Sequence, residues 1–313
     1  MKFDDSSTLV IGGAGYIGSH LVNQLVSNGR SVTVLGRSST PKYALPDGVV
    51  YVSGDFADCR LMNLLLDNHR NVIHLAYATV PNTSFENPLS DLLQNLPPTV
   101  QLFSEAATRG IRLLLVSSGG TVYGEAVELP IRETHPTCPI SPYGVTKRTL
   151  EAYAHLYAVT HGLKFVCVRP GNAYGVGQRP FVGQGFVATA MASAMHGMPV
   201  RIFGQHGTVR DYLYVQDLAS GIVSALENGK LSETYNLGSG IGLNNLDVIE
   251  ACRPLLREIG CQICVENLPE RAFDVKVNVL DSSRLQADTG WEPLIDFEVG
   301  LAMTRDWLVK LRS

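Results

Sequence analysis

The sequence lacks several features that mark special classes of protein. No apolar run reaches the roughly 18 residues that a membrane-spanning helix needs. The first residues carry neither the basic nor the apolar part of a signal peptide, so we expect a cytoplasmic protein without a membrane span. No internal repeat or low-complexity segment is present. A formal net charge of -4 argues against nucleic acid or an anionic membrane as the main partner.

Cysteine is scarce, with six residues in a chain of 313. In a cytoplasmic protein we expect these to be free thiols. Cys261 and Cys264 form the one suggestive pair, in a segment with the apolar pattern of a strand. No second pair of metal ligands accompanies them, so we predict neither a zinc site nor a redox site.

Glycine is concentrated near the start of the chain, where an apolar run from Leu9 to Ile11 is followed by Gly12, Gly15 and Gly18. An amphipathic run then extends to about Asn28. Strand, glycine turn and helix in this order are typical of dinucleotide binding. The first glycine allows the tight turn, the second admits the pyrophosphate, and the third lets the helix pack against the strand. The helix N-terminus then offers free N–H groups to the phosphates.

No carboxylate stands at the end of the second apolar run, Ser31 to Leu35. In proteins that bind NAD, an acidic residue at this place accepts hydrogen bonds from the adenosine ribose. Here Gly36 leaves room, and Arg37 with Ser38 and Ser39 could hold a 2'-phosphate, which favours NADP. The alternative is that Arg37 only stacks on the adenine or points to solvent. The sequence therefore leaves NAD and NADP both open.

Two further apolar runs, at 49–52 and 72–76, predict the third and fourth strands. After the third strand we expect Asp55 to accept a hydrogen bond from the adenine amino group and Phe56 to pack on the adenine ring. The small Ala76 would let the chain pass close to a dinucleotide.

A long helical pattern follows, from Pro88 to Arg109, and it contains Pro97 and Pro98. Proline inside a helix removes a backbone donor, so we predict a break there. His74, inside an apolar run, is more typical of a core histidine than of a catalyst. Two more apolar runs, at 111–118 and 165–168, bring the strands to six. Alternating strands and helices predict an α/β fold with a doubly wound parallel sheet.

Tyr143 and Lys147 are spaced i, i+4 at the start of a predicted helix, so their side chains lie on one face. A lysine ammonium near a phenol favours the phenolate, and we expect Lys147 to lower the tyrosine pKa. Tyr143 is then a plausible acid/base near neutral pH. A nearby hydroxyl, from Ser118 or Thr121, would complete a hydrogen-bonded triad around a sugar hydroxyl.

Over its whole length the chain resembles the extended short-chain dehydrogenase/reductase family, and within it the nucleotide-sugar 4-epimerases similar to UDP-galactose 4-epimerase. The motifs that carry the resemblance are the glycine turn of residues 12–20, Val72-Ile73-His74-Leu75-Ala76, Thr121-Val122-Tyr123-Gly124, Tyr143 with Lys147, Arg169-Pro170-Gly171-Asn172, residues 207–212 with Val215 and Asp217, and Gly290-Trp291.

The resemblance implies a nicotinamide dinucleotide, NAD or NADP, held by a Rossmann domain. Tyr143 matches the family's acid/base, Lys147 the residue on the nicotinamide ribose, and Asn95 an asparagine that supports the cofactor site. Together with the sequence patterns, it nominates a set of cofactor-binding residues: Gly12, Gly15, Tyr16, Ile17, Gly18, Arg37, Ser38, Asp55, Phe56, Leu75, Ala76, Tyr77, Asn95, Ser117, Tyr143, Lys147 and Pro170.

The resemblance also implies a nucleotide-sugar substrate. Asn172 and Arg210 match residues on the diphosphate, and Arg271 with Asp274 match a second phosphate arginine and an acid at the nucleotide ribose. Two guanidinium groups on one pyrophosphate also make chemical sense, since arginine binds phosphate in a bidentate manner. Ser118 and Tyr143 would contact the sugar.

The chain departs from the family pattern in several places, among them the missing acid after the second strand and Pro97-Pro98, which replace a common glycine-threonine pair. Gly119 replaces a common serine or threonine, so the hydroxyl partner moves to Ser118 or Thr121, and we favour Ser118. Gly120 and Thr121 replace the Asp-Glu pair of the 4,6-dehydratases, which argues against water elimination. Asn278 stands where some epimerases carry a bulky tyrosine, and we hypothesise that an N-acetylated sugar fits.

We therefore predict a nucleotide-sugar 4-epimerase that acts on a UDP-hexose or UDP-N-acetylhexosamine through transient C4 oxidation. The alternative is an NADPH-dependent 4-ketoreductase of a 4-keto-6-deoxy nucleotide sugar. We expect residues 1–172 to form the dinucleotide-binding domain and residues 173–313 a smaller substrate-binding domain, with segments near 210–217 returning to the sheet. The resemblance implies a homodimer formed through a four-helix bundle near the catalytic helix.

Overall fold

Seven parallel strands form the main sheet, in a computed structural model that describes residues 7–271 and 274–312. The strands in chain order are β1 (Thr8–Ile11), β2 (Val32–Gly36), β3 (Val50–Ser53), β4 (Asn71–His74), β5 (Arg112–Val116), β6 (Lys164–Pro170), β7 (Asn172–Tyr174), β8 (Val200–Phe203), β9 (Val209–Tyr214), β10 (Thr234–Leu237), β11 (Gly242–Leu243), β12 (Val265–Leu268) and β13 (Val277–Asn278).

The main sheet has the spatial order β10-β6-β5-β4-β1-β2-β3, and each neighbouring pair is parallel. The winding starts at β1 and proceeds outward in both directions, which confirms the predicted α/β fold with a doubly wound sheet. In such sheets the ligand crevice lies at the carboxyl ends of the strands where the order reverses, here between β1 and β4.

Helices cover both faces of this sheet. In chain order they are α1 (Tyr16–Ser27), α2 (Cys59–Leu66), α3 (Pro81–Ser84), α4 (Pro88–Arg109), α5 (Gly119–Val122), α6 (Pro142–His161), α7 (Phe186–Met195), α8 (Val215–Asn228), α9 (Asn245–Arg257), α10 (Ser283–Thr289) and α11 (Phe297–Arg312). None of the helices in the described ranges is long and apolar enough to cross a membrane.

The alternation of side chains along β1 shows how the two layers form. Val10 packs in one cluster with Leu21 of α1 and Leu218 of α8. Leu9 and Ile11 point to the opposite face and pack in a second cluster with residues of α2, α4 and α6. All four β1 residues are buried because both faces of a central parallel strand are covered.

The later part of the chain forms two small sheets beside the main one. β9 pairs with β7, β11 and β13, and β8 pairs with β12. The segment 210–217 therefore differs from our expectation: its strand residues join a small sheet, and only from Val215 does it begin α8 on the main sheet. β10 is the strand that does return. The boundary at residue 172 stays a prediction.

Two local predictions are wrong. α4 runs unbroken through Pro97 and Pro98. The carbonyl groups that these prolines leave without a donor belong to Leu93 and Gln94, whose side chains are exposed, so water can reach that face of the helix. Cys261 and Cys264 lie in the loop before β12, not in a strand.

Candidate active site

The glycine turn between β1 and α1 is shaped by close backbone contacts. Gly12 has φ +89°, and a Cβ atom there would lie 2.8 Å from the amide nitrogen of Ala76. A Cβ at Gly18 would lie 2.5 Å from the Gly12 carbonyl oxygen, which is why α1 can pack so near β1. Gly15 is the N-cap, and α1 has no side-chain cap. The amide groups of its first turn therefore face the turn, as a pyrophosphate site requires.

The residues that follow β2 and β3 only partly match the adenosine contacts predicted for them. Tyr51 lies beside Gly36 and donates a hydrogen bond to the Ser38 carbonyl oxygen at 2.7 Å. Arg37 is exposed. Phe56 packs on the buried His74 ring at 5.1 Å, inside the apolar cluster of α2 and α4, and this contact argues against its predicted place on the adenine.

Asp55 is exposed and accepts a hydrogen bond from the amide of Ala57. His74 is a core residue, as predicted: its Nε2 atom pairs with Thr99 at 3.0 Å. Burial lowers the pKa of His74 to about 3, with a smaller contribution from the Lys147 charge.

Asn95 holds the segment that leaves β4. Its side-chain oxygen accepts a hydrogen bond from the amide of Ala78 at 2.9 Å, and its Nδ2 group donates to the Asp91 carbonyl at 2.6 Å. Leu75 and Tyr77, on the same segment, line the central cavity. Asn95 thus contacts the cavity wall from behind.

Tyr143 and Lys147 lie one turn apart at the start of α6, whose N-cap Ser141 accepts a hydrogen bond from the amide of Gly144. Lys147 Nζ donates to the Val116 carbonyl oxygen at 2.8 Å, at the end of β5. The backbone amide of Tyr143 donates to Ser84 Oγ at 3.2 Å. The start of α6 is thereby fixed to β5 and to α3.

The predicted effect of Lys147 on Tyr143 is wrong for this arrangement. Burial raises the pKa of Tyr143, the nearby Asp91 charge raises it further, and a hydrogen bond with Ser118 lowers it. The Lys147 ammonium lies 4.2 Å from the ring centroid of Tyr77 but 5.7 Å from that of Tyr143. Burial lowers the pKa of Lys147 itself to about 8.

The hydroxyl partner of Tyr143 is Ser118, because the two side chains share a hydrogen bond. Thr121 Oγ1 and Ser117 Oγ are buried and have no hydrogen-bond partner within the described structure. Gly119 has no room for a larger side chain, since a Cβ atom there would lie 2.8 Å from the Arg169 carbonyl oxygen and 2.5 Å from Leu280. This packing explains the glycine.

A cavity of about 990 Å³ brings most of the predicted residues together. Its lining includes Tyr16, Ile17, Leu75, Tyr77, Ser117, Ser118, Thr121, Tyr143, Lys147, Pro170, Asn172, Arg210, Arg271 and Asp274. Ten nominated residues lie outside the lining: Gly12, Gly15, Gly18, Arg37, Ser38, Asp55, Phe56, Ala76, Asn95 and Asn278.

The opposite side of the cavity carries the predicted phosphate ligands. β7 and β9 pair in parallel and place Asn172 and Arg210 on one wall. Arg210 is largely buried, which lowers its pKa, and it donates to its neighbour's carbonyl. Arg271 pairs with Asp274 at 2.8 Å and lies over the Phe203 ring at 4.0 Å. Two guanidinium groups on one cavity favour an anionic ligand such as a diphosphate.

Asn278 requires a correction. Its side chain has no exposed surface, and its Nδ2 group donates to the Gly119 carbonyl oxygen at 2.9 Å. It supports α5 from beneath and does not line the cavity. The size of this side chain therefore gives no direct argument for an N-acetylated sugar.

Sequence reasoning missed three residues at this site. Phe203 lines the cavity beneath Arg271, Ser84 bonds the Tyr143 amide, and Asp91 bonds Tyr77 and Thr146. Phe203 and Ser84 gave no spacing signal, because their partners lie far away along the chain. Asp91 was visible as a charge in the apolar start of α4.

The residues present fit a dinucleotide and an anionic, hydroxyl-rich ligand. The glycine turn forms a backbone cradle that Cβ atoms would fill. The hydroxyl groups of Tyr16, Ser117 and Thr121 are buried, line the cavity and lack partners within the described structure. Buried polar atoms are normally paired, so a ligand that bonds them would satisfy the site.

Comparison with known proteins finds relatives whose structures contain a nucleotide sugar or a dinucleotide. A model of the NAD dependent epimerase/dehydratase family matches residues 8–238. A UDP-glucose 4-epimerase of Halalkalibacterium halodurans is 32% identical, with 91% of this chain and 90% of that protein covered. The structure of a Thermotoga maritima UDP-glucose 4-epimerase with UDP-glucose matches with a TM-score of 0.92 and 32% identity, covering 98% of this chain and 100% of that one. A Thermus thermophilus UDP-glucose 4-epimerase in complex with NAD matches with a TM-score of 0.88 and 34% identity, covering 97% and 99%.

Proposed function

Because the chain belongs to the NAD dependent epimerase/dehydratase family, we propose that it is a nucleotide-sugar 4-epimerase that inverts C4 of a UDP-linked hexose. The observation that carries the proposal is one cavity that holds an acid/base pair on one wall and two arginines on the other. Tyr143 and Lys147 supply the pair, and Arg210 and Arg271 the cationic groups.

The cofactor of this reaction is a nicotinamide dinucleotide. We assign its pyrophosphate to the glycine turn and the first amides of α1, and its nicotinamide end to the cavity beside Tyr143 and Lys147. When bound, it supplies a hydride acceptor for the sugar C4 atom and a donor for the return. The relatives with NAD bound favour NAD, whereas Arg37 without a neighbouring carboxylate favours NADP.

In the proposed mechanism Tyr143 removes the proton of the sugar 4-hydroxyl while Ser118 bonds the same oxygen. Lys147 favours the phenolate form of Tyr143 only when its ammonium points toward the phenol oxygen. Arg210 and Arg271 hold the diphosphate while the 4-keto sugar turns in the cavity. Binding energy is thus placed away from the reacting carbon. Tyr143 then returns the proton to the other C4 epimer.

Two other reactions are less well supported. Elimination of water needs an acid and a base where this chain has Gly120 and Thr121. A 4-ketoreductase would use the same acid/base pair, but both structures compared above carry the name UDP-glucose 4-epimerase.

The deciding experiment is proton NMR of the purified protein with UDP-glucose and with UDP-N-acetylglucosamine, without added cofactor. Appearance of the C4 epimer supports an epimerase that retains its own dinucleotide, and the faster substrate gives the preferred sugar. If no epimer forms even with NAD and NADP added, the epimerase proposal fails. The reductase is then assayed with NADPH and a 4-keto-6-deoxy nucleotide sugar.

We further propose a homodimer formed through α4 and α6. Four of the apolar side chains on these helices are strongly exposed: Leu89, Leu93, Leu156 and Val159. In contrast, Leu150 of α6 is buried in the core, and Tyr157 is half-buried there, so neither is free to form this contact. An apolar stripe of this kind favours a protein partner over solvent. Sedimentation of the wild type and of Leu156→Glu tests this: a monomeric wild type would refute it.

The cytoplasmic location stays a prediction.

A further inference from the structure

Asp91 is a buried carboxylate to which the mechanism above gives no role. It lies in the first turn of α4, has no exposed surface, and accepts hydrogen bonds from three hydroxyl groups. Thr146 Oγ1 lies 2.7 Å and Tyr77 Oη 3.3 Å from one carboxylate oxygen, and Thr79 donates to the other. Among the described residues, no Lys, Arg or His forms an ion pair with it.

Two of these three donors lead to the acid/base pair. The Tyr77 ring has the Lys147 ammonium 4.2 Å from its centroid, and it meets the Tyr143 ring edge-on at 4.7 Å. Thr146 immediately precedes Lys147 in the first turn and a half of α6. One carboxylate oxygen therefore fixes both an aromatic neighbour of the pair and the helix that carries it.

A buried charge is costly unless the surrounding groups need it, because desolvation penalises an ion in the interior. A neutral residue of similar shape, such as asparagine, would fill the same space without that cost. The position of Asp91 at the helix N-terminus offsets part of the cost through the helix dipole. The remaining cost suggests that its charge acts on the cavity.

On the basis of the proposed function, we propose that Asp91 is a positioning residue for the Tyr143–Lys147 pair, acting through Tyr77 and Thr146. Its hydrogen bonds hold the Tyr77 ring and the start of α6 in place. Its negative charge acts on both members of the pair at once. It does not touch the substrate or the cofactor site directly.

The charge of Asp91 affects both titrating groups in the same direction. It raises the pKa of Tyr143 and that of Lys147, since a negative charge favours the protonated form of each. Several other groups face Lys147 and remain in an Asp91 variant: Glu151 on α6, Cys167 on β6, His74 on β4, Tyr77 and Tyr143.

The test is the pH profile of kcat for Asp91→Asn. Removal of the negative charge lowers the pKa of both groups, so both limbs of the profile move to lower pH, by about one unit for one nearby charge. On the alkaline side the rate then falls about tenfold below that of the wild type, because one pKa unit is a factor of ten. KM for the nucleotide sugar stays unchanged.

Matched variants separate the charge from the hydrogen bonds. Thr146→Val removes one donor and keeps the carboxylate, so kcat should fall about five- to tenfold with both limbs in place. Thr146→Ser keeps the hydroxyl and should restore kcat. Asp217→Asn changes a buried carboxylate that bonds the Ile295 amide, and it should leave the pH profile unchanged.

A titration without substrate keeps this inference distinct from the proposed function. Near-ultraviolet difference absorbance, with Tyr143→Phe as background, follows the Tyr143 phenolate directly. A shift of this titration to lower pH in Asp91→Asn supports the inference even if the wild type shows no epimerisation. A folded Asp91→Asn with unmoved limbs and an unmoved titration would refute it. If this variant does not fold, equal kcat values for Thr146→Val and Thr146→Ser would refute it.

Discussion

The two walls of the cavity are built in different ways. The wall that we propose to be catalytic, the catalytic wall, is made of Ser117, Ser118, Thr121, Tyr143 and Lys147. It stands on α5, α6 and the carboxyl end of β5, an interior strand of the main sheet. The binding wall, made of Asn172, Arg210, Arg271 and Asp274, comes from segments far apart along the chain. The catalytic wall leaves two buried hydroxyl groups without partners in the described structure, whereas the binding wall pairs Arg271 with Asp274.

The two walls therefore differ in how much they must rearrange when a ligand binds. The unpaired hydroxyl groups of the catalytic wall are already placed to bond a ligand, so little rearrangement is needed there. In the binding wall, a diphosphate must compete with Asp274 for Arg271. We therefore expect changes in the catalytic wall to alter kcat and changes in the binding wall to alter KM.

The largest expected effect is at Tyr143. Tyr143→Phe removes the proposed acid/base, and kcat should fall about 10³-fold or more. Nucleotide-sugar binding, measured by calorimetry, should stay close to that of the wild type. Tyr153→Phe changes a partly exposed tyrosine on another face of the same helix, α6, and serves as the control. A Tyr143→Phe enzyme with more than a tenth of wild-type kcat would contradict the assignment.

At the binding wall, Arg210→Ala should raise KM for the nucleotide sugar about 10- to 100-fold, since a hydrogen bond to a charged group contributes about 1.5–3 kcal/mol. The change in kcat should be much smaller. Arg253→Ala, which breaks a surface pair with Glu250, is the control and should leave both constants unchanged. A fall in kcat with an unchanged KM in Arg210→Ala would contradict the separate roles of the two walls.

The close packing of the glycine turn, to which we assign the dinucleotide pyrophosphate, can be tested by adding a Cβ atom. Gly18→Ala places a Cβ atom 2.5 Å from a backbone oxygen, and the shift that follows should cost about 1–3 kcal/mol of unfolding free energy and weaken dinucleotide retention. Gly15→Ala meets only the Gly12 oxygen, at 3.3 Å, and should lose much less stability. Chemical denaturation and the absorbance of the released dinucleotide measure both effects. Equal losses of stability in the two variants would disprove this packing argument.

The effect that is smallest near neutral pH concerns His74 behind the catalytic wall. Its pKa of about 3 lies below the ordinary value of 6.5, so the unfolded chain binds a proton that the folded chain does not. Its contribution to stability is present above pH 6.5 and is lost as the pH falls toward 3, by up to ~1.4 kcal/mol per pH unit. Denaturation at several pH values should show a shallower slope for His74→Gln than for the wild type or the exposed control His155→Gln.

Much of the fold and of the catalytic wall could be predicted from sequence because their signals are local. The spacing of Gly12, Gly15 and Gly18 and the i, i+4 spacing of Tyr143 and Lys147 are fixed by one turn and one helix. The parallel, doubly wound character of the sheet followed from the alternation of strands and helices. These features depend on neighbours along the chain, and the structure has them.

The errors arose where a distant part of the molecule decides the outcome. The pKa of Tyr143 is raised, not lowered, because burial and the Asp91 charge both raise it, while the Lys147 ammonium lies over Tyr77. Asn278 is buried against α5, and the partly buried Phe56 packs on His74. No spacing in the sequence reports such contacts.

The return of β10 to the main sheet bears on how the protein could be divided. A fragment ending at residue 172 would leave β6 as an open sheet edge and remove α8, whose Leu218 and Ile222 belong to the apolar cluster over β1 and β5. Open edges and bare apolar faces promote aggregation. A cut at residue 172 therefore divides the apolar cluster of the main sheet, so neither fragment is suited to expression on its own, to swapping between relatives, or to a split reporter.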